Sequence, residues 1–151
     1  MSLDLDQLKK LRHETGVSFS VCKKALEEAG NDVDKAKKLL TKWGEKKAAD
    51  KANRATNQGV IASYIHHNKK VAGFVELLTE TDFVSGNAEF QKLANELAMQ
   101  VATMQPENVE ELLSQEYIRD SSKKISDLLK DAILKFGENI KISRILRWEI
   151  G

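Results

Sequence analysis

The chain has 151 residues, 41% hydrophobic and 31% charged, with a formal net charge of +1. That composition suits one ordinary globular domain or two small ones, and so small a charge gives no bulk attraction to nucleic acid or membrane. The charge is uneven, however: residues 1–54 hold 13 Lys/Arg against 9 Asp/Glu, and residues 55–151 hold 11 against 14. A basic head on a mildly acidic body predicts two modules with different contact surfaces. The single cysteine, Cys22, has no disulfide partner in the chain, which fits a reducing compartment. No secretion signal opens the sequence, and no apolar run approaches the ~20 residues of a spanning helix. A soluble, cytoplasmic protein is expected.

Three short helices come first. Leu5, Leu8 and Leu11 stripe one that stops at Gly16. Ser18 can cap a second, in which Cys22, Ala25, Leu26 and Ala29 repeat at i, i+3, i+4 and i+7 as far as Gly30. Asp32 can cap a third, striped by Val33, Ala36, Leu40 and Trp43. Residues 1–44 therefore form a three-helix N-terminal domain, with a core too small to be more than marginal alone. Residues 45–58, rich in Lys and Ala, have no apolar stripe and read as a partly helical, solvated linker.

From Gly59 the period changes to two. Two strands joined by a turn at His67-Asn68-Lys69 make an antiparallel hairpin. Asn87 to Met104 is an amphipathic helix, stopped by Pro106, and helical stretches are predicted near 108–115 and 121–136, with "DSSKK" as a helix cap. A last strand follows, with Ile140, Ile142, Leu146, Trp148 and Ile150 expected on one side, and Ile145 among charged residues on the other. The fold class is α+β: a three-helix bundle, a linker, then residues 59–151 as a three-stranded antiparallel sheet covered on one face by helices.

No catalytic constellation can be assembled. The histidines are His13, His66 and His67, none with a Cys or a second His at metal-ligand spacing, and there is no glycine-rich phosphate loop. The expectation is a protein that is not an enzyme, with no metal and no cofactor of its own. Interest falls instead on "TETDFVSG", residues 79–86, between an apolar strand and the Asn87 helix. Phe83 can be core packing and Asp82 a helix cap. Alternatively the pair protrudes, as an aromatic anchor with a carboxylate beside it that enters a partner. His66 has the same two readings, solvated turn or partner surface.

Three motifs occur in order: Thr15-Gly16 followed by Cys22-Lys23-Lys24-Ala25-Leu26 and "GNDVDKA"; then Thr81-Asp82-Phe83-Val84; then Gly137-Glu138-Asn139-Ile140. The set resembles the bacterial elongation factor Ts family over essentially the whole chain. The resemblance implies a ubiquitin-associated type of N-terminal bundle and guanine nucleotide exchange on elongation factor Tu, during the elongation phase of protein synthesis. It implies that Thr81, Asp82, Phe83 and Val84 dock near the partner's Mg²⁺ and phosphate loop, dislodging the ion. It also implies partner contacts from Lys9, Arg12, Phe19 and Ser20 in the bundle, and from His66 in the core. With one core unit and no protruding coiled coil, the chain looks like the shortened class, and a homodimer through the sheet is expected. Nucleic acid, membrane and direct nucleotide binding are not. The alternative is a small adaptor using the bundle's Thr15–Phe19 loop, without exchange activity.

Overall fold

The computed structural model describes residues 2–151, which divide into two compact units. The first runs to Ala52 and takes in Lys130–Gly137; the second is Asn53–Leu129 with Glu138–Gly151.

In the first unit, α1 (Leu5–Thr15) starts at Asp4, whose side chain accepts from the amides of Asp6 and Gln7. It stops at Gly16, left-handed with φ 68°, where a side chain would be strained. Helix α2 (Phe19–Glu28) follows Ser18, which occupies the cap position without a side-chain cap bond. Helix α3 (Val33–Lys51) is capped by Asp32. The core is Leu8, Leu11, Val17, Cys22, Ala25, Leu26, Val33, Ala36 and Leu40, with Trp43 and Leu134 packed against it. Leu5, expected in the stripe, is exposed because it is the first helical residue. The expected linker is helical through Lys51, since its Ala and Lys residues are good helix formers. Residues 130–137 lie on the bundle: the Lys135 side chain sits against Gly16 and the Lys130 carbonyl against Gly44.

The second unit is built on a three-stranded antiparallel sheet, with β1 (Gln58–Ile65), β2 (Val71–Thr79) and a final strand, β5 (Ile140–Glu149), in the order β1-β2-β5. The β1–β2 turn places Lys69 at φ 65°. Beyond β2 come a single turn, α4 (Asp82–Ser85), and the long α5 (Ala88–Met104), whose Asn87 cap accepts from the Glu89 amide. Helix α5 crosses one face of the sheet and buries Phe90, Ala94, Leu97, Ala98 and Val101. Next is α6 (Val109–Ser114). The stretch expected to be helical from 121 begins instead with a small ribbon, β3 (Glu116–Tyr117) and β4 (Asp120–Lys124). Asp120 accepts from both the amide and the hydroxyl of Ser122, a local bond that competes with helix. Fully buried Gln100 pins the ribbon, donating to Glu116 O at 2.9 Å and accepting from Ile118 N at 3.1 Å. Helix α7 (Ile125–Phe136) therefore starts later, directly after "DSSKK", and Asp127 in its first turn accepts from Lys124 N at 2.9 Å.

Strand β5 departs from the expected alternation. Its register against β2 shifts between Glu76 and Leu77: Glu76 faces Arg144, whereas Leu77 faces Ile142. Ser143 is the extra residue of a bulge, so the side-chain parity reverses beyond it. Ile140 and Ile142 are buried under the helices, and past the bulge Ile145 and Arg147 turn to that side. The Arg147 Nε donates to Ala102 O of α5 at 3.0 Å. Leu146 and Trp148 swing to the open face, where they join Ile61, Ile65, Phe74 and Leu78. Phe74 and Trp148 meet edge to face at 5.4 Å. Glu76 and Arg144 pair beside them at 2.9 Å.

Candidate functional site

The turn from β2 into α4 separates its side chains cleanly. Val84 and Ser85 point inward and are buried, while Asp82 and Phe83 point out. Phe83 is 90% exposed, the most exposed large hydrophobic side chain among the described residues. Core packing is thus excluded for it. Asp82 is not the cap either: Thr81 holds that position, its hydroxyl oxygen accepting from Val84 N at 3.4 Å.

What fixes this corner is the segment just before β5, Glu138 and Asn139. One oxygen of Glu138 accepts from Thr81 N at 3.0 Å and from the Thr79 hydroxyl at 2.9 Å. The other accepts from the Thr81 hydroxyl at 2.6 Å. Asn139 N donates to Glu80 at 2.6 Å, and Glu80 also pairs with Arg54 at 2.7 Å. Burial pushes the Glu138 carboxyl up, but the hydrogen bonds from Thr81 and Thr79 outweigh it and hold the group below its ordinary 4.5. The sequence marks Glu138 only as part of a motif; three donors 57 to 59 residues away carry no local signature.

A pH dependence follows. A depressed folded-state pKa stabilises the fold fully above the unfolded value, and that contribution is lost as pH falls through the folded one. The gap in thermal midpoint between the unmodified chain and Glu138→Gln should stay constant from pH 7 to about 5, then close below about 4. Calorimetry across that range checks it; a gap that widens on acidification contradicts the assignment.

The other expected contacts are distributed. His66 lies just beyond β1, with its Nδ1 3.1 Å from the Tyr64 hydroxyl and its ring 4.2 Å from that of His67. A cavity of about 170 Å³ beside it is bordered by Val71, Thr103 and Arg147. In the first unit, Lys9 and Arg12 are exposed on α1, and Phe19 and Ser20 open α2. Buried Val17 anchors the turn before them, and Phe19 remains 49% exposed. Among the described residues, no three His, Cys, Asp or Glu side chains gather as metal ligands, and no helix is long and apolar enough to cross a membrane.

The family model described as "Elongation factor Ts, mitochondrial, N-terminal" matches residues 1–50, and "Elongation factor TS" matches residues 80–150. A protein of Thermosipho melanesiensis described as "Elongation factor Ts" is 39% identical, over 95% of this chain and 96% of its own. The chain belongs to the elongation factor Ts family. Relatives of the same description from Thermotoga petrophila and Coprothermobacter proteolyticus are 38% and 37% identical over the whole chain and 98% and 100% of theirs. Family membership makes it a translation elongation factor. Both ends of the Thr81–Glu138 clamp, and the exposed Asp82-Phe83 pair, fall inside the matched segment of the elongation factor Ts core. The Thermotoga alignment runs to 194 positions against 151 residues here, which leaves 43 without a counterpart in this chain.

Proposed function

We propose that this chain binds elongation factor Tu carrying GDP and promotes GDP release, acting as a guanine nucleotide exchange factor in the cytoplasm. The observation that carries the reading is Phe83, 90% exposed beside Asp82 on a turn tied to Glu138. An exposed aromatic on a fixed turn loses little entropy on insertion, and a neighbouring carboxylate gives it electrostatic direction. Thr81 to Val84 is the segment that approaches the partner's phosphate site. Displacing Mg²⁺ there removes the charge that offsets the β-phosphate and weakens the hold on GDP. By linkage, GDP weakens binding of the factor by the same ratio. No covalent bond changes, so the chain is not an enzyme in that sense. Lys9, Arg12, Phe19 and Ser20 supply a second contact, with His66 a further one, and joined weak contacts gain affinity through effective concentration. The deciding experiment is release of labelled GDP from elongation factor Tu with and without the full chain; equal rates refute the reading. The adaptor alternative leaves the protruding Phe83 without a role, and Lys135 lies against Gly16 in the loop it would use.

The proposal includes pairing of two copies through the open sheet face. Ile61, Ile65, Leu146 and Trp148 are exposed there, Trp148 by 62%, and an apolar face of this kind is rarely left to water. The Glu76–Arg144 pair neutralises itself, and Lys141, opposite Leu78, lies toward the end of the face, so its apolar centre can meet a second copy across a two-fold axis. Trp148→Glu is expected to weaken the dimer at least about tenfold, the effect of 1.4 kcal/mol. Sedimentation equilibrium at micromolar concentration measures it. An unmodified chain that is monomeric there yet exchanges at full rate removes the dimer from the mechanism.

A further inference from the structure

We infer that Glu138 is the positioning residue of the exchange corner, an inference that rests on the exchange reading above. Three observations carry it. Its two carboxylate oxygens take three donors from Thr79 and Thr81, on either side of Glu80, so both the last residue of β2 and the cap of α4 are held by one group. Thr79 is completely buried, and its hydroxyl also lies 3.1 Å from Asn139 O, so the clamp is set in the core at one end. Asp82 and Phe83 follow the clamped Thr81 directly, and their exposed side chains have no packing of their own to fix them.

The alternative supports for the corner are few. Val84 and Ser85 are buried but lie beyond the protruding pair, and α4 is a single turn of four residues, too short to hold itself in water. Without the Glu138 carboxylate, the Thr81 amide and the Thr79 hydroxyl lose a charged acceptor, and the turn preceding Asp82 is held only through Glu80, which accepts from Asn139 N and pairs with Arg54, and through the bonds internal to α4. The wedge would then reach the partner in many orientations. Binding through Lys9, Arg12, Phe19 and Ser20 does not depend on that turn. The signature of positioning is therefore a loss in maximal release rate at nearly constant half-maximal concentration.

The test uses the full chain with Glu138→Ala and Glu138→Gln, each alone and with Phe83→Ala. Hydrogen bonds to a charged group are the stronger kind, so the saturating GDP-release rate should fall about tenfold or more for Glu138→Ala. The half-maximal concentration should move less than about threefold. Glu138→Gln keeps one carbonyl acceptor and should recover part of the rate. In the Phe83→Ala background, Glu138→Ala should cost clearly less than in the unmodified chain, because of the two groups it orients only Asp82 is left. Amide hydrogen exchange, measured without the partner, should quicken at Thr81 and Val84 while the centre of β2 stays protected. Equal losses in both backgrounds, an effect on half-maximal concentration alone, or unchanged exchange at Thr81 would each overturn the assignment. If Glu138→Ala does not fold, Glu138→Gln decides by the same readings. If the unmodified chain fails to release GDP, the exchange reading falls with it, whereas quickened amides at Thr81 would still establish the clamp.

Discussion

Phe83→Ala should cut the maximal rate of GDP release by at least about tenfold and leave the thermal midpoint nearly unchanged. The two halves of that result come from one fact. A side chain 90% exposed contributes almost no buried area to the fold, so its removal belongs with surface substitutions, within about 0.5 kcal/mol. The same side chain buried in a partner is an anchor, and truncating anchors commonly costs about 2 kcal/mol or more. Asp82→Ala should act in the same direction, since its carboxylate lies on the exposed side of the same turn. Stopped-flow release of a fluorescent GDP analogue and a thermal melt give both numbers. A fall of about 3–5 kcal/mol in stability is what truncating a buried Phe costs; seeing it, with release unaltered, would make the wedge untenable.

The largest effect on stability is expected at Gly73, in the middle of β2. A Cβ built there runs into Ala98 O and approaches Ala102 N at 2.7 Å and the Ala102 Cβ at 3.1 Å. These are backbone and near-backbone atoms of α5, so no side-chain rotation relieves them. Glycine in a strand marks this kind of close approach. Gly73→Ala must lift α5 off the sheet along the length that buries Leu97, Ala98 and Val101. Overpacking of a rigid contact costs about 1–3 kcal/mol and sometimes more, and with the helix displaced we expect the upper end. For a domain of about 100 residues that lowers the thermal midpoint by roughly 12 °C or more. A Gly73→Ala protein melting within a few degrees of the unmodified chain would show that α5 is not held against the strand.

Most of the architecture is written in local pattern. The stripes of Leu8, Leu11, Cys22, Ala25, Leu26, Ala36 and Leu40, with Asp32 and Asn87 as caps, identify their helices from side-chain spacing alone. The hairpin is equally readable from period two and its turn. Three features were hidden, each for a physical reason. The exposure of Phe83 was ambiguous because hydrophobicity records what a residue would gain by burial, not whether neighbours supply it. Residues 120–124 became a strand because the buried amide of Gln100 and the Asp120–Ser122 bonds reward that conformation, and neither lies in the pattern of the segment. The clamp by Glu138 depends on groups more than fifty residues distant, whose meeting only the folded sheet creates.

The bulge at Ser143 works like a parity bit in a message. Without it, strict alternation from Ile142 would send Trp148 into the interior and turn Arg147 outward, so Ala102 O would lose its donor. One inserted residue thus decides which of two chemically different surfaces the strand displays, with no change in the order of its side chains. The strand can therefore evolve along two routes. Substitution at Leu146 or Trp148 retunes the open face residue by residue, whereas loss or gain of a single position near 143 would exchange inner and outer faces at a stroke. The Glu76–Arg144 and Ser143–Glu76 bonds sit on that position and hold the frame in place.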